Sequence, residues 1–220
     1  MAIARIKSFR TPEMTVDELT EKVLERFPQE RMDSIREQFG TWKWEKFFDR
    51  ETYARSGSAK AFELGLSNCP SKCVLDIGAG LGYFSTAAML LGHHSAVIEV
   101  SHPVTSAIYG TQYFESKRKK ELHLSYALYT LLPHCRLFEP PSCKSPYDLI
   151  TIMGVNLVRP DKRWWDREDY QFLVEDLVAR LGKNGLLHIE FNRGPENEFL
   201  KSIHWGHRFE RNDNVIRIFA

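Results

Sequence analysis

The stretch VLDIGAGLGYFS, Val74 to Ser85, sets three glycines at alternate positions directly behind a short apolar run. The run reads as a strand, and GYFSTAAMLLG, Gly82 to Gly92, has helical spacing and closes on a glycine. A strand, a glycine turn and a helix that starts at the turn place bare backbone N–H groups and a positive helix end beside a ligand. The dinucleotide fingerprint G-x-G-x-x-G is one template for such a unit, but it wants its third glycine where Tyr83 stands. Asp76 at the strand's end would also repel a pyrophosphate.

Outward from this unit the alternation continues. HSAVIEV (94–100) is a second apolar run, PVTSAIYGTQYFESKRKKEL (103–122) has helical spacing, and CRLF (135–138) is expected as the third strand. YDLITIMGV (147–155), a helix within WDREDYQFLVEDLVARLG (165–182) and NGLLHIEFN (184–192) follow, the last launched by a turn at 182–185. HRFER and NVIRIF read as a closing hairpin around Asn212-Asp213. Strands of about six residues alternating with longer helices imply βαβ units and a parallel sheet. Seven strands are expected.

The N-terminal part has another rhythm. Residues 14–38 carry apolar positions at helical spacing, with Thr15 or Asp17 available as a cap and Pro28 dividing the segment. The next segment, from Thr41, carries Trp42, Trp44, Phe47, Phe48 and Tyr53 and is expected to break at a turn over Ser56–Ser58. Its aromatic faces either pack on the main domain or form a lid over a ligand.

The chain has 220 residues, 43% of them hydrophobic, and a net charge of +1. That length suits one main domain with an appendage, and the charge supplies no bulk attraction to nucleic acid or to an anionic membrane. Four cysteines without an N-terminal apolar leader fit a cytoplasmic protein, and no apolar run approaches the roughly 20 residues of a bilayer span. The basic run SKRKK at 116–120 is a solvated helix face by default; RNA contact would need interleaved aromatics. Cys69 and Cys73 straddle the first strand's start, awkwardly for zinc, and no metal is expected.

The pattern D-I-G-A-G-L-G, Asp76 to Gly82, resembles the first motif of the class I S-adenosylmethionine-dependent methyltransferases. A sulfonium donor is cationic, so the acid that disfavours a pyrophosphate suits it. Glu99 near the end of the second strand, the aromatic-Asp pair Tyr147-Asp148, the turn LGKNG and the terminal hairpin are similar to later features of that family. The resemblance covers roughly residues 70 to 220. It implies a Rossmann-like three-layer α/β/α sandwich whose seven-stranded mixed sheet has the order 3-2-1-4-5-7-6 with the last strand antiparallel. Residues 1–65 would be a helical cap and 66–220 the donor-binding domain.

By the same resemblance Asp76 meets the methionine end of the donor and Glu99 accepts from its two ribose hydroxyls. Gly78, Ala79, Gly80, Gly82, Tyr83, Phe84, Val100 and Gly154 are further donor contacts, and Glu139, after the expected third strand, lies near the adenine. Glu190, Asn156 and His102 are the candidate catalytic residues. Tyr53, Arg159, Trp164, Trp165 and Asn192 are the candidate acceptor contacts, with a helix start packed on the core as an equal account of the two tryptophans.

The implied activity is O- or N-methylation of a small-molecule or saccharide-type acceptor. The other open function is a sensor or partner subunit that binds the donor or its demethylated product without turnover. Nicotinamide-linked oxidoreduction is a third. The expected partner is a small molecule; nucleic acid and membrane are disfavoured, and a homo-oligomer is compatible with the sequence.

Overall fold

The structure is a computed structural model that describes residues 14–40, 42–110, 124–128, 130–138, 145–155, 157, 161–192, 200, 203 and 205–220. Helix α1 (Val16–Arg26) starts at a reciprocal cap: Glu18 N–H donates to the Thr15 hydroxyl, and Thr15 N–H donates to the Glu18 carboxylate at 2.7 Å. Helix α2 (Gln29–Phe39) begins directly after Pro28, as the division at that proline implied. A 3-10 segment, Trp42–Phe48, leads to α3 (Arg50–Glu63).

Helix α3 runs unbroken through Ser56–Ser58, where a turn was expected. Gly57 and Ser58 are buried because this side of α3 lies against the start of α4 (Tyr83–Leu90). A Cβ on Gly57 would stand 2.8 Å from the Phe84 backbone nitrogen and 2.9 Å from the Tyr83 carbonyl carbon. Small residues are therefore a condition of this helix contact. Gly57→Ala gains up to ~1 kcal/mol of helix propensity but meets overpacking worth about 1–3 kcal/mol. A lowered melting temperature is expected, and an unchanged one would mean that α3 has room to shift.

The sheet consists of β1 (Cys73–Ile77), β2 (His94–Glu99), β3 (Leu124–Leu128), β4 (Tyr147–Met153), β5 (Leu181–Glu190), β6 (Arg208–Asn212) and β7 (Val215–Phe219). Its order is β3-β2-β1-β4-β5-β7-β6, and β7 runs antiparallel to both neighbours. This is the order that the resemblance implied. Helix α5, described over 103–110, follows β2, and α6 (Arg167–Val178) precedes β5.

Period-two alternation divides the sheet into two buried faces. Leu75, Ile150, Leu187 and Ile216 share one cluster with Leu173 and Leu177 of α6. Val74 and Leu149 share the other with Leu19 and Val23 of α1, Ala54 and Ala61 of α3, Ala87 of α4 and Ile108 of α5. No helix of the described residues is long and apolar enough to cross a membrane.

The third strand lies at Leu124–Leu128, not at 135–138. Leu124 pairs with Ser95 and Leu128 with Glu99, so LSYAL completes the β2 edge. In the segment expected as a strand, Leu137 N–H donates to the Asp176 carboxylate at 2.9 Å and its carbonyl accepts from Arg180 at 2.9 Å. Two side chains of the α6 region satisfy this backbone, which therefore needs no sheet partner. The turn at 182–185 is an excursion inside β5: Tyr147 faces Leu181, and Leu149 already faces Leu186.

Candidate functional site

The carboxyl ends of β1, β2, β4 and β5 open on a cavity of about 550 Å³ whose opposite wall comes from α3 and the 3-10 segment. The glycine loop forms its floor. Gly78 N–H donates to the Ile98 carbonyl at 2.7 Å, which ties the loop to β2. Gly80 N–H donates to Glu99 Oε2 and Val100 N–H to Glu99 Oε1, both at 2.7 Å. Glu99 is thus held against the loop at the cavity's edge.

Gly78 and Gly80 have φ of 71° and 62°, in the left-handed region that side chains with a Cβ rarely enter. A Cβ on Gly78 would stand 2.1 Å from a Val155 methyl, and one on Gly80 would stand 2.9 Å from the Phe47 ring. Side chains of β4's exit and of the 3-10 segment therefore close directly on the bare loop. Gly82 starts α4 against Tyr109 and is not among the cavity residues.

Asp76 lies beneath the loop and is 1% exposed. It accepts from Ser85 Oγ at 2.7 Å and from Thr151 Oγ1 at 2.8 Å. Burial pushes its pKa up to about 6 against the pull of these two hydroxyls, and the Glu99 carboxylate adds to the rise.

Aromatic rings cover the same end. The Tyr83 hydroxyl donates to the Phe47 carbonyl at 2.9 Å, and Tyr83 stacks on Phe27 at 4.2 Å between ring centres. Tyr53 lies 4.8 Å from Phe47 and 6.1 Å from Tyr83. Burial raises the Tyr83 pKa well above the phenol's ordinary value, so the hydroxyl stays a donor.

At the far side of the cavity Lys60 Nζ stands 2.9 Å from Glu190 Oε2 and 2.8 Å from Glu63 Oε2. Burial works against the lysine's charge, but the two carboxylates outweigh it and raise its pKa. The His188 ring at 3.8 Å pulls Glu190 down to about 2; desolvation opposes this, and Lys60 adds to it. Asn192 donates from Nδ2 to the Gly154 carbonyl at 2.9 Å, joining the exits of β5 and β4.

Among the residues singled out from the sequence, Asp76, Gly78, Ala79, Gly80, Tyr83, Phe84, Glu99, Val100, Gly154, Tyr53, Glu190 and Asn192 line this one cavity. Others are elsewhere. His102 precedes α5, where its Nδ1 accepts from Val104 N–H at 3.3 Å and so caps the helix. Trp165 is 3% exposed and packs edge-on against Tyr170, because the start of α6 seals the other face of the sheet. Trp164 is 44% exposed and also outside the cavity. Glu139, Asn156 and Arg159 lie outside the described residues, as does the basic run at 116–120. With β3 ending at Leu128, Glu139 no longer follows the third strand.

Sequence reasoning missed Lys46, Ser56, Gly57, Lys60, Met153 and Val155 as cavity residues, while Phe47, one of the aromatics offered for a lid, does line it. One signal was present. Tyr53, Gly57 and Lys60 are spaced four and three apart and form one helical stripe, which a break at 56–58 conceals.

No family model matches the chain, and no curated protein matches it. Solved structures do. A coclaurine N-methyltransferase bound to N-methylheliamine and S-adenosylhomocysteine is 16% identical, with 64% of this chain and 35% of that one covered and a TM-score of 0.45. A glycopeptide N-methyltransferase complexed with sinefungin is 14% identical over 76% of this chain and 66% of its own, with a TM-score of 0.44. An amino pentose methyltransferase from Micromonospora echinaspora is 16% identical over 66% and 52%, with a TM-score of 0.43. The chain spans about a third to two thirds of the length of these proteins. The strand order and the antiparallel seventh strand give the chain the Rossmann-like fold of the class I methyltransferases.

Proposed function

We propose that the chain is an S-adenosylmethionine-dependent methyltransferase that acts by in-line transfer on a small-molecule or saccharide-type acceptor. The observation that carries this is the joint between the glycine loop and Glu99 at the floor of a cavity roofed by α3. A cavity of about 550 Å³ is in the range of cofactor and small-ligand sites. The left-handed backbone at Gly78 and Gly80 lets Val155 and Phe47 close on a loop without side chains, which keeps the loop's backbone at the cavity floor, and Glu99 presents two oxygens to a pair of neighbouring hydroxyls. Asp76 and Glu99 give the floor a negative character suited to a cation.

When bound, the donor supplies a methyl group activated by positive sulfur. The chain's own residues then position and desolvate. Phe47, Tyr53 and Tyr83 exclude water from above the loop, and α3 brings Lys60 to face Glu190 across the acceptor end. Residues 1–65 act as the cap, and the described part of it is also structural, since α1 and α3 share a core with β1 and α4.

Calorimetric titration with S-adenosylmethionine and S-adenosylhomocysteine tests the donor site, with micromolar binding expected. Incubation with methyl-labelled donor and a cell metabolite extract tests turnover. Binding without any acceptor-dependent label would point to a sensor; absence of binding would remove the methyltransferase assignment.

A further inference from the structure

A polar row crosses the sheet on the face under α3. Cα pairing sets Asp76 beside Thr151, Thr151 beside His188 and His188 beside Arg217. Beside Val74, Leu149 and Leu186 on the same face, such a row is costly unless its polar groups are paired.

Its chemistry converges on Glu190. Arg217 Nε can only donate, and it donates to His188 Nδ1 at 3.5 Å, which leaves the imidazole proton on Nε2. His188 is fully buried, its Nε2 has no hydrogen-bond partner, and it stands 3.8 Å from Glu190 Oε2. Lys60 meets that same oxygen at 2.9 Å. Arg217 also pairs with Glu63 at 2.9 Å, so the lysine, the arginine and the two carboxylates balance in charge. Lys60 thus donates to Oε2 with the His188 ring beside it, while Oε1 of a residue that lines the cavity takes no hydrogen bond from the described residues.

We propose that Glu190 Oε1 docks the nucleophile of the methyl acceptor and that this nucleophile is an amine, with Lys60 and His188 as positioning residues that fix the carboxylate. The proposal rests on the methyltransferase function above and names its substrate class. A hydroxyl nucleophile must give up its proton as the new bond forms, which calls for a base that titrates near the working pH. Glu190, ion-paired to Lys60 at 2.9 Å and held below the usual carboxylate range, accepts a hydrogen bond but does not keep a proton. A neutral amine needs only orientation. Its lone pair forms the N–C bond as the C–S bond breaks, the bonding pair goes to sulfur, and the N–H proton passes to water from the product ammonium.

The test uses methyl-tritiated S-adenosylmethionine with paired probes of one skeleton, benzylamine with benzyl alcohol, tyramine with tyrosol and glucosamine with glucose, and with secondary amines of the same skeletons. Label is expected on nitrogen only. Glu190→Gln should lower kcat about 100-fold, and Lys60→Met should lower kcat/KM about tenfold with recovery in Lys60→Arg, as loss of orientation predicts. S-Adenosylhomocysteine binding should stay at the wild-type value in each variant. The kcat/KM profile should rise in a single limb with amine deprotonation, with no carboxylate limb between about pH 4 and 8. Label on oxygen, label on no probe while S-adenosylhomocysteine binds, or wild-type turnover in Glu190→Gln overturns the proposal. Failure of the wild type to bind S-adenosylhomocysteine overturns the donor site itself, a distinct outcome.

Discussion

Glu99→Ala is expected to weaken S-adenosylmethionine binding by about 100-fold or more. Two hydrogen bonds from ribose hydroxyls to an ionised carboxylate are each worth about 1.5–3 kcal/mol, and their joint loss corresponds to roughly two to four powers of ten in affinity. The floor loses its shape as well, since Gly80 N–H and Val100 N–H both donate to this side chain. Glu99→Gln separates these contributions. The amide keeps one acceptor oxygen and the side-chain volume, so its affinity should fall between alanine and wild type. Calorimetry with S-adenosylhomocysteine, beside thermal melting to confirm folding, gives the answer. If the alanine variant binds within about tenfold of wild type, the ribose does not sit on Glu99.

Asp76→Asn is expected to do two opposite things at pH 7.5: to raise the melting temperature of the free protein and to weaken donor binding. The folded-state pKa of Asp76 is raised from 3.8 to about 6, so the folded protein holds a proton that the unfolded chain releases more easily. The stability this group contributes is fully present below pH 3.8 and is lost as pH rises through about 6. Above that, the buried charge costs about 3 kcal/mol, at 1.36 kcal/mol per pKa unit. Asparagine carries no charge, and the Ser85 and Thr151 hydroxyls that now donate to Asp76 can rotate to meet an amide. At about 2–4 °C per kcal/mol for a chain of this size, the variant should melt several degrees higher at pH 7.5. The gap should close by about pH 4, where the wild-type acid is protonated. A variant that melts lower than wild type at pH 7.5 would mean that the Asp76 charge is compensated within the fold. A stabilised variant that still binds the donor normally would remove Asp76 from the donor site.

The strand, glycine turn and helix at 73–90 were legible because their signal is local: an apolar run, three glycines and a helical pattern follow one another without interruption. The same holds for β2, β4, the α6 region and the β6–β7 hairpin. Glu99 was legible for a related reason, since it ends a strand whose neighbour leads into the glycine loop.

Local signals failed where a distant surface decides. Ser-Gly-Ser at 56–58 has the composition of a turn, yet the backbone of α4 makes it the close-packed stretch of a helix. CRLF is as apolar as a short strand, but Asp176 and Arg180 satisfy Leu137, while LSYAL pairs with β2.

The sequence by itself determined the glycine loop, the alternation of strands and helices and the acids at the strand ends, because periodicity and turn chemistry act over a few residues. Only the tertiary structure decided that α3 roofs the loop and that Lys60 meets Glu190 from 130 positions away. No local pattern encodes an ion pair across that separation; it exists because the helix and the strand bury opposite sides of one core, and packing brings their charged ends to the same cavity.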